Sequence, residues 1–181
     1  TVRGILPEEQ TAVVNKLREA GADVDEGPDW VRASVSKRLK GINVKTMPHP
    51  GFPTDMQQPM AAVLCLAEGT SVVEETIYES RIGHIQELNR MGANIRSQGR
   101  TAMIEGVNGL RGAIVEASDL RAGAALVLAG LAAKGETTVK NIHFIDRGYE
   151  AFEKTLAELG AKIQRVHAPD LDGSMSNVDS E

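Results

Sequence analysis

Aromatic residues are scarce: Phe, Tyr and Trp make up 3% of the 181 residues. A core built from this chain must therefore rest on Ala, Val, Ile and Leu, and the stacking platforms that single-stranded nucleic acid requires are not expected. One cysteine, Cys65, leaves no internal disulfide and no Cys-rich zinc site. The four histidines, 49, 84, 143 and 167, show no metal-ligand spacing, and neither a metal nor a cofactor is expected. Apolar runs reach roughly a dozen residues, short of the ~20 that span a bilayer. No signal-peptide pattern opens the chain. Lys and Arg number 20 against 25 Asp and Glu, a formal charge of -5 without the global positive field of a nucleic-acid binder. These absences together describe a cytoplasmic type of protein with neither nucleic acid nor membrane as partner.

What is present is a repeat. Leu17-Arg-Glu-Ala-Gly-Ala-Asp-Val-Asp25 recurs as Leu88-Asn-Arg-Met-Gly-Ala-Asn-Ile-Arg96 and as Leu156-Ala-Glu-Leu-Gly-Ala-Lys-Ile-Gln164. In each copy an amphipathic helix is predicted to stop at a glycine in the left-handed C′ position, Gly21, Gly92 or Gly160. A strand is then predicted through Val24, Ile95 or Ile163. The apolar stripes read Val13, Leu17, Ala20; Ile82, Ile85, Leu88, Met91; and Phe152, Leu156, Leu159. Hairpins are expected to turn at Gly27-Pro28-Asp29 and at Gly99-Arg100.

A second repeated element is apolar all round: Met60 to Ala67 and Ala122 to Ala133. Such helices are buried on every side. Each is introduced by an apparent N-cap pair, Thr54/Asp55 or Ser118/Asp119, and followed by a β-rich stretch, Thr70 to Tyr78 or Glu136 to Ile145. The expected fold is α/β: one domain over residues 1–167, inside-out, with buried central helices and with sheets and amphipathic helices outside. It comprises a partial unit at 1–47 and full units at 54–116 and 118–167. The first unit reads as beginning near Pro7 without its buried helix or preceding strand, so the sequence is expected to be the C-terminal piece of something longer, with an apolar patch or sheet edge left open. Met47 to Pro53 reads as an extended proline-rich approach to Asp55. Residues 168–181, with four acids and no bases, read as a disordered acidic tail.

Arg121 is the residue hardest to explain by structure alone. A cation in the first helical turn opposes the helix dipole; it is there either for a salt bridge to Asp119 or another acid, or to hold an anion with the free N–H groups. Arg81 and Arg147 occupy matching places ahead of the amphipathic helices, and repeat symmetry predicts that they share a rim with Asp55 and Arg121. Converging arginines suit phosphate and carboxylate. Cys65, between Leu64 and Leu66, reads as a small hydrophobe and not as a nucleophile. His49 and His84 are within reach of the rim in sequence.

Four stretches carry a resemblance: Pro48-His-Pro-Gly-Phe-Pro-Thr-Asp-Met-Gln57; Glu79-Ser-Arg81 with His84 and Arg90-Met-Gly-Ala93; Ala117-Ser-Asp-Leu-Arg-Ala-Gly-Ala124; and Ile145-Asp-Arg-Gly-Tyr-Glu150. From about residue 1 to 166 the chain resembles the UDP-N-acetylglucosamine enolpyruvyl transferases (1-carboxyvinyltransferases), which open bacterial peptidoglycan synthesis. The resemblance implies a fold of repeated βαβαββ units. It also implies transfer of enolpyruvate from phosphoenolpyruvate to the sugar 3′-hydroxyl, through a tetrahedral ketal and loss of phosphate. Asp55 then matches the proposed base, Ile77 the position that binds nucleotide sugar, and Arg121 and Arg147 the ligands of phosphoenolpyruvate and phosphate. Glu79 and Arg81 match residues lining the cleft. In that family the general acid lies on a mobile loop of another, N-terminal domain, which is missing here, so the chain is expected to be half a site and inactive alone. The alternatives are a shikimate 3-phosphate enolpyruvyl transferase, or a non-catalytic nucleotide-sugar binding or regulatory module.

Overall fold

The structure, a computed structural model, describes residues 1–78 and 81–167. Nine strands and six α-helices follow one another among the described residues. The strands are β1 (Val2–Arg3), β2 (Asp23–Glu26), β3 (Trp30–Ser34), β4 (Asn43–Lys45), β5 (Thr70–Glu74), β6 (Asn94–Gln98), β7 (Thr101–Glu105), β8 (Ile114–Glu116) and β9 (Thr138–Lys140). The helices are α1 (Thr11–Glu19), α2 (Gln57–Leu64), α3 (Gly83–Arg90), α4 (Leu120–Ala132), α5 (His143–Asp146) and α6 (Phe152–Glu158).

The repeat is visible in the backbone. Gly21, Gly92 and Gly160 adopt φ of +99°, +91° and +95° after α1, α3 and α6, a region that side chains avoid. Each stop has the same pair of bonds. The glycine amides donate to Arg18, Asn89 and Ala157, and the next amides, of Ala22, Ala93 and Ala161, reach back to Leu17, Leu88 and Leu156 at 3.0–3.1 Å. This is the Schellman pattern three times over.

Strand pairing completes the unit. β4 and β5 run parallel on either side of α2 in the chain, and β8 and β9 do the same around α4. A parallel pair needs a crossover, and here the crossover is the buried helix. β6 and β7 form the expected antiparallel hairpin, and β7 closes onto β5 to give the order β4-β5-β7-β6. In the first unit β2 and β3 form the hairpin, and β1 pairs antiparallel with β3 as β5 does with β7. The strand expected to be lacking before α1 is therefore present as Val2–Arg3, too short to announce itself by alternation.

Other expectations are corrected. No strand forms at Ile163, because no described strand lies there to pair with residues 161–167. The second β-rich stretch is cut short: β9 ends at Lys140 and the chain coils into α5. Met47 to Pro53 is not an extended approach. It folds back on itself, with the Met47 amide bonded to the Phe52 carbonyl at 2.9 Å and that of Gly51 to Pro48 at 2.8 Å, around a cis His49–Pro50 bond. Leu159 does not belong to the buried stripe of α6 and is 71% exposed. The expected acidic tail lies outside the described residues.

Aliphatic residues supply the core. Leu64, Leu88, Met91, Ile104, Leu110, Val115 and Leu126 are all fully buried, and Phe52 is the one aromatic residue of the buried core among the described residues. α2 and α4 pack against each other at its centre. Beyond their C-terminal halves lies an apolar groove of about 340 Å³, lined by Val35, Leu39, Ala62, Val63, Leu66 and Leu128. Truncating Leu126 to Ala in the centre of this packing is expected to cost about 2–5 kcal/mol, whereas Leu159→Ala should be nearly silent. Urea denaturation of the two variants side by side checks this, and equal losses would contradict the assigned core.

Candidate active site

The rim is built where the buried helices begin. Asp55 lies in a single 3-10 turn, Thr54–Met56, that feeds α2. Arg81 precedes α3, and Arg121 is the second residue of α4. The Asp55 carboxylate accepts from both cations: Oδ1 from Arg81 Nη1 at 2.9 Å and Oδ2 from Arg121 Nη2 at 2.6 Å. Arg121 therefore answers to Asp55 across 66 residues of sequence. Asp119 does the capping of α4: its Oδ1 accepts from the amides of Arg121 and Ala122 at 2.9 and 3.0 Å. The apparent symmetry of the two cap pairs is broken at α2, where neither Thr54 nor Asp55 caps the helix. Asp55 is taken by the guanidiniums, and Thr54 bonds elsewhere.

Electrostatics follow from this geometry. Partial burial alone would raise the Asp55 pKa, but the bonds from Arg121 and Arg81 outweigh it and hold the carboxyl below its ordinary 3.8. A group held this way is ionised at neutral pH and is a weak base. The side chain remains 47% exposed, so an incoming ligand can reach it. Arg81 also stacks over the Tyr78 ring at 4.3 Å, a cation–π contact that fixes its plane.

A second cluster lies beside the first. Glu75, 3% exposed at the end of β5, accepts from Thr46 Oγ1 at 2.8 Å, Thr54 Oγ1 at 2.9 Å, and the amides of Ile77 and Tyr78 at 2.8 and 3.1 Å. Thr54 Oγ1 in turn accepts from Arg81 Nη1 at 3.1 Å. The exposed Ile77 is thus tied by its backbone to the same network as Asp55. Thr54 was read from the sequence only as a cap, and Glu75 was not singled out, although a signal existed for it: Ser71, Val73 and Glu75 alternate inward along β5 and one residue beyond.

Arg147, exposed at the end of α5, is not part of this hydrogen-bonded cluster. Its corner nevertheless sits on the first turns of α4. A Cβ at Gly148 would come within 2.5 Å of Leu120, and one at Gly123 within 2.5 Å of Ile145. Glu79 lies outside the described residues. Cys65 is fully buried, and its burial pushes the thiol up to about 12, which removes it as a nucleophile. His84 does not reach the rim. It is 1% exposed with neither ring nitrogen partnered among the described residues, and burial pushes it down to about 4 against the pull of Asp119.

Comparison with known proteins agrees with this architecture. The family model of EPSP synthase (3-phosphoshikimate 1-carboxyvinyltransferase) matches residues 1–156, and the chain belongs to that family of enolpyruvyl transferases. Among curated relatives, UDP-N-acetylglucosamine 1-carboxyvinyltransferase 3 of Symbiobacterium thermophilum is 55% identical over 164 residues, which is 91% of this chain and 39% of that protein. UDP-N-acetylglucosamine 1-carboxyvinyltransferase 2 of Clostridium acetobutylicum is 50% identical over 165 residues, again 91% of this chain and 40% of the relative. The chain thus spans well under half the length of these relatives. The crystal structure of the enolpyruvyl transferase NikO from Streptomyces tendae superposes with a TM-score of 0.78 at 32% identity, covering 85% of this chain and 36% of that one. EPSP synthase from Acinetobacter baumannii, at 20% identity and a TM-score of 0.54 over 73% of this chain and 32% of its own, shares the fold. No helix among the described residues is long and apolar enough to cross a membrane.

Two measurements test the site's electrostatics. Replacing Arg121 with Gln should move the Asp55 carboxyl titration, followed by carbon-13 NMR, upward toward the ordinary carboxylate range; an unmoved midpoint would break the assigned ion pair. His84 has a folded-state pKa below its unfolded one, so its contribution to stability is complete above about 6.5 and is lost as pH falls toward about 4. His84→Leu should flatten the stability–pH curve in that window by on the order of 3 kcal/mol, read from urea melts at pH 7 and pH 4.

Proposed function

We propose that this chain supplies the acceptor-activating and phosphate-holding half of an enolpyruvyl transferase that moves enolpyruvate from phosphoenolpyruvate to the 3′-hydroxyl of UDP-N-acetylglucosamine. The observation that carries the reading is the exposed Asp55 carboxylate flanked by Arg81 and Arg121. Its support is the identity to two relatives that bear this activity in their names.

The chemistry assigns each group a task. The sugar hydroxyl oxygen bonds to C2 of phosphoenolpyruvate and gives up its own proton to the Asp55 carboxylate, while another proton is added to C3, giving a tetrahedral ketal. Loss of phosphate and of a C3 proton then restores the double bond. Asp55 accepts the hydroxyl's hydrogen bond and aims its lone pair at C2. With its pKa held low, orientation contributes more than proton removal. Arg121 and Arg147, joined by the N-terminal turns of α4, face the carboxylate and phosphate of phosphoenolpyruvate, whose charges match guanidinium forks. An arriving anion competes with Asp55 for Arg121, and a carboxylate released from that pair becomes more basic as substrate binds. Ile77 offers an exposed apolar side chain to the nucleotide sugar. Cys65 does not supply the proton for C3, because its thiol is fully buried and held up to about 12, too weak an acid to give it up. We assign that proton to a group outside these 181 residues, and the chain alone is expected to bind without turning over.

The test has two arms. Nitrogen-15-labelled chain titrated with UDP-N-acetylglucosamine should show shifts centred on Asp55 and Ile77, and shikimate 3-phosphate should leave them in place. Grafted in place of the matching 164 residues of the Symbiobacterium thermophilum relative, the chain should support phosphate release, and Asp55→Ala in the graft should reduce kcat by about 10²-fold or more. Turnover of the Ala variant near the parent level would take Asp55 out of the mechanism. Selective shifts with shikimate 3-phosphate would instead favour the aromatic-pathway acceptor.

A further inference from the structure

The polar network under the rim contains a carboxylate that no step above uses. Glu75 is almost wholly buried, and its four donors are two hydroxyls and two backbone amides, all neutral. A buried charge is costly unless hydrogen-bonded in full, and Glu75 meets that condition with donors drawn from three separate segments. Thr46 follows β4, Thr54 starts the turn that carries Asp55, and Ile77 and Tyr78 are the loop leaving β5. An apolar residue at the end of this strand would pack there without any such network.

The two carboxylate oxygens serve different segments. Oε1 gathers the Ile77 and Tyr78 amides together with the Thr46 hydroxyl, which fixes the course of the loop. Oε2 accepts a hydrogen bond from the Thr54 hydroxyl at 2.9 Å. That direction matters, because a hydroxyl has one proton. Once Thr54 donates to Glu75, its lone pairs face Arg81, and Arg81 Nη1 bonds both Thr54 Oγ1 at 3.1 Å and Asp55 Oδ1 at 2.9 Å. Ile77, Glu75, Thr54, Arg81 and Asp55 form one continuous chain of hydrogen bonds.

We propose that Glu75 is a positioning residue that fixes the nucleotide-sugar contact at Ile77 and the hydroxyl-orienting carboxylate of Asp55 in a single register. The assignment rests on the functional reading above for the roles of Ile77 and Asp55. The coupling between them does not depend on that reading, and it can be measured without ligand.

Glu75→Gln keeps the shape and removes the charge. Its NH₂ group turns toward the Thr54 hydroxyl, which then loses the acceptor for its proton, and Arg81 loosens from Asp55. The Asp55 carboxyl midpoint in the 181-residue chain should rise by half a unit or more, and the Ile77 and Tyr78 amides should shift. The sign is diagnostic. Deleting a nearby negative charge without any positioning effect would lower the Asp55 midpoint, so a fall, or no change, overturns the proposal. Thr54→Val breaks only the Asp55 branch and should raise the midpoint while leaving the Ile77 and Tyr78 amides near their parental positions. If Glu75→Gln does not fold, this variant decides by the same criterion. Thr46→Val, in the same network but away from Asp55, controls for lost stability and should leave the midpoint alone; an equal rise there also overturns the proposal. With UDP-N-acetylglucosamine, Glu75→Gln should raise Kd at least tenfold at a temperature where both proteins are folded. If the parent chain does not bind the nucleotide sugar at all, the functional reading fails, and the ligand-free titration still decides the role of Glu75.

Discussion

Helices buried along most of their length can offer polar groups only at their ends, and the rest of this structure follows from that constraint. α2 meets it throughout, whereas α4 meets it in its first turns and surfaces in its last, where Leu131 is 41% exposed instead of buried as its apolar run predicts. The flanks of α2 and α4 are sealed by Ala, Leu, Met and Gly, so the backbone groups left unpaired at the termini must find partners locally. At the start of α4 Asp119 takes two amides. At the far end of α2 Arg38 reaches the carbonyls of Leu66 and Ala67, and also Val107 and the Asn108 side chain. The polar side chains that meet these two helices are thus concentrated at their ends, and among the described residues the end where they begin places a carboxylate between two cations within reach of solvent.

Within that rim the decisive balance is between burial and pairing. Asp55 and Glu75 are both carboxylates whose burial alone would raise the pKa, and both are held below the ordinary value by hydrogen bonds that outweigh it. They reach this state by different means, and the difference separates their tasks. Asp55 is held by two charged guanidinium groups that another anion can attract. Glu75 is held by backbone amides and short hydroxyls that have nowhere else to go. One carboxylate is available for exchange with a ligand, and the other is part of the frame.

Much of this was legible in the sequence, for physical reasons that differ from element to element. The repeat could be read because a Schellman stop demands glycine and because three glycines kept the same neighbours. The buried helices could be read because nothing polar interrupts them. Arg121 drew notice because a cation in a first turn has to be answered by something. The partner it chose was not legible, since Asp55 looked like the counterpart of Asp119 and only packing shows that one caps while the other bridges. β4 and β8 were missed although Ile42, Val44 and Thr46, then Val115 and Ala117, alternate inward; three-residue strands are too short for a period of two to stand out. Residues 161–167 show the converse. Their pattern matches the earlier copies, but a strand needs a partner, and local sequence cannot supply one.

The distribution of uncompensated polar atoms shows what this arrangement costs. Five of the six buried side-chain atoms left without a partner among the described residues belong to Gln57, Gln58 and His84. Each such atom forgoes about 1–3 kcal/mol relative to a satisfied or apolar neighbour. All three residues lie in the first turns of α2 and α3, immediately behind the turn carrying Asp55 and the segment carrying Arg81. A domain shaped by stability alone would place apolar residues there, as it does everywhere else along α2. Local rules broken at one end of a fold and obeyed at the other mark the end where something other than stability is being selected. In this chain that end is the one where Asp55, Arg81 and Arg121 meet.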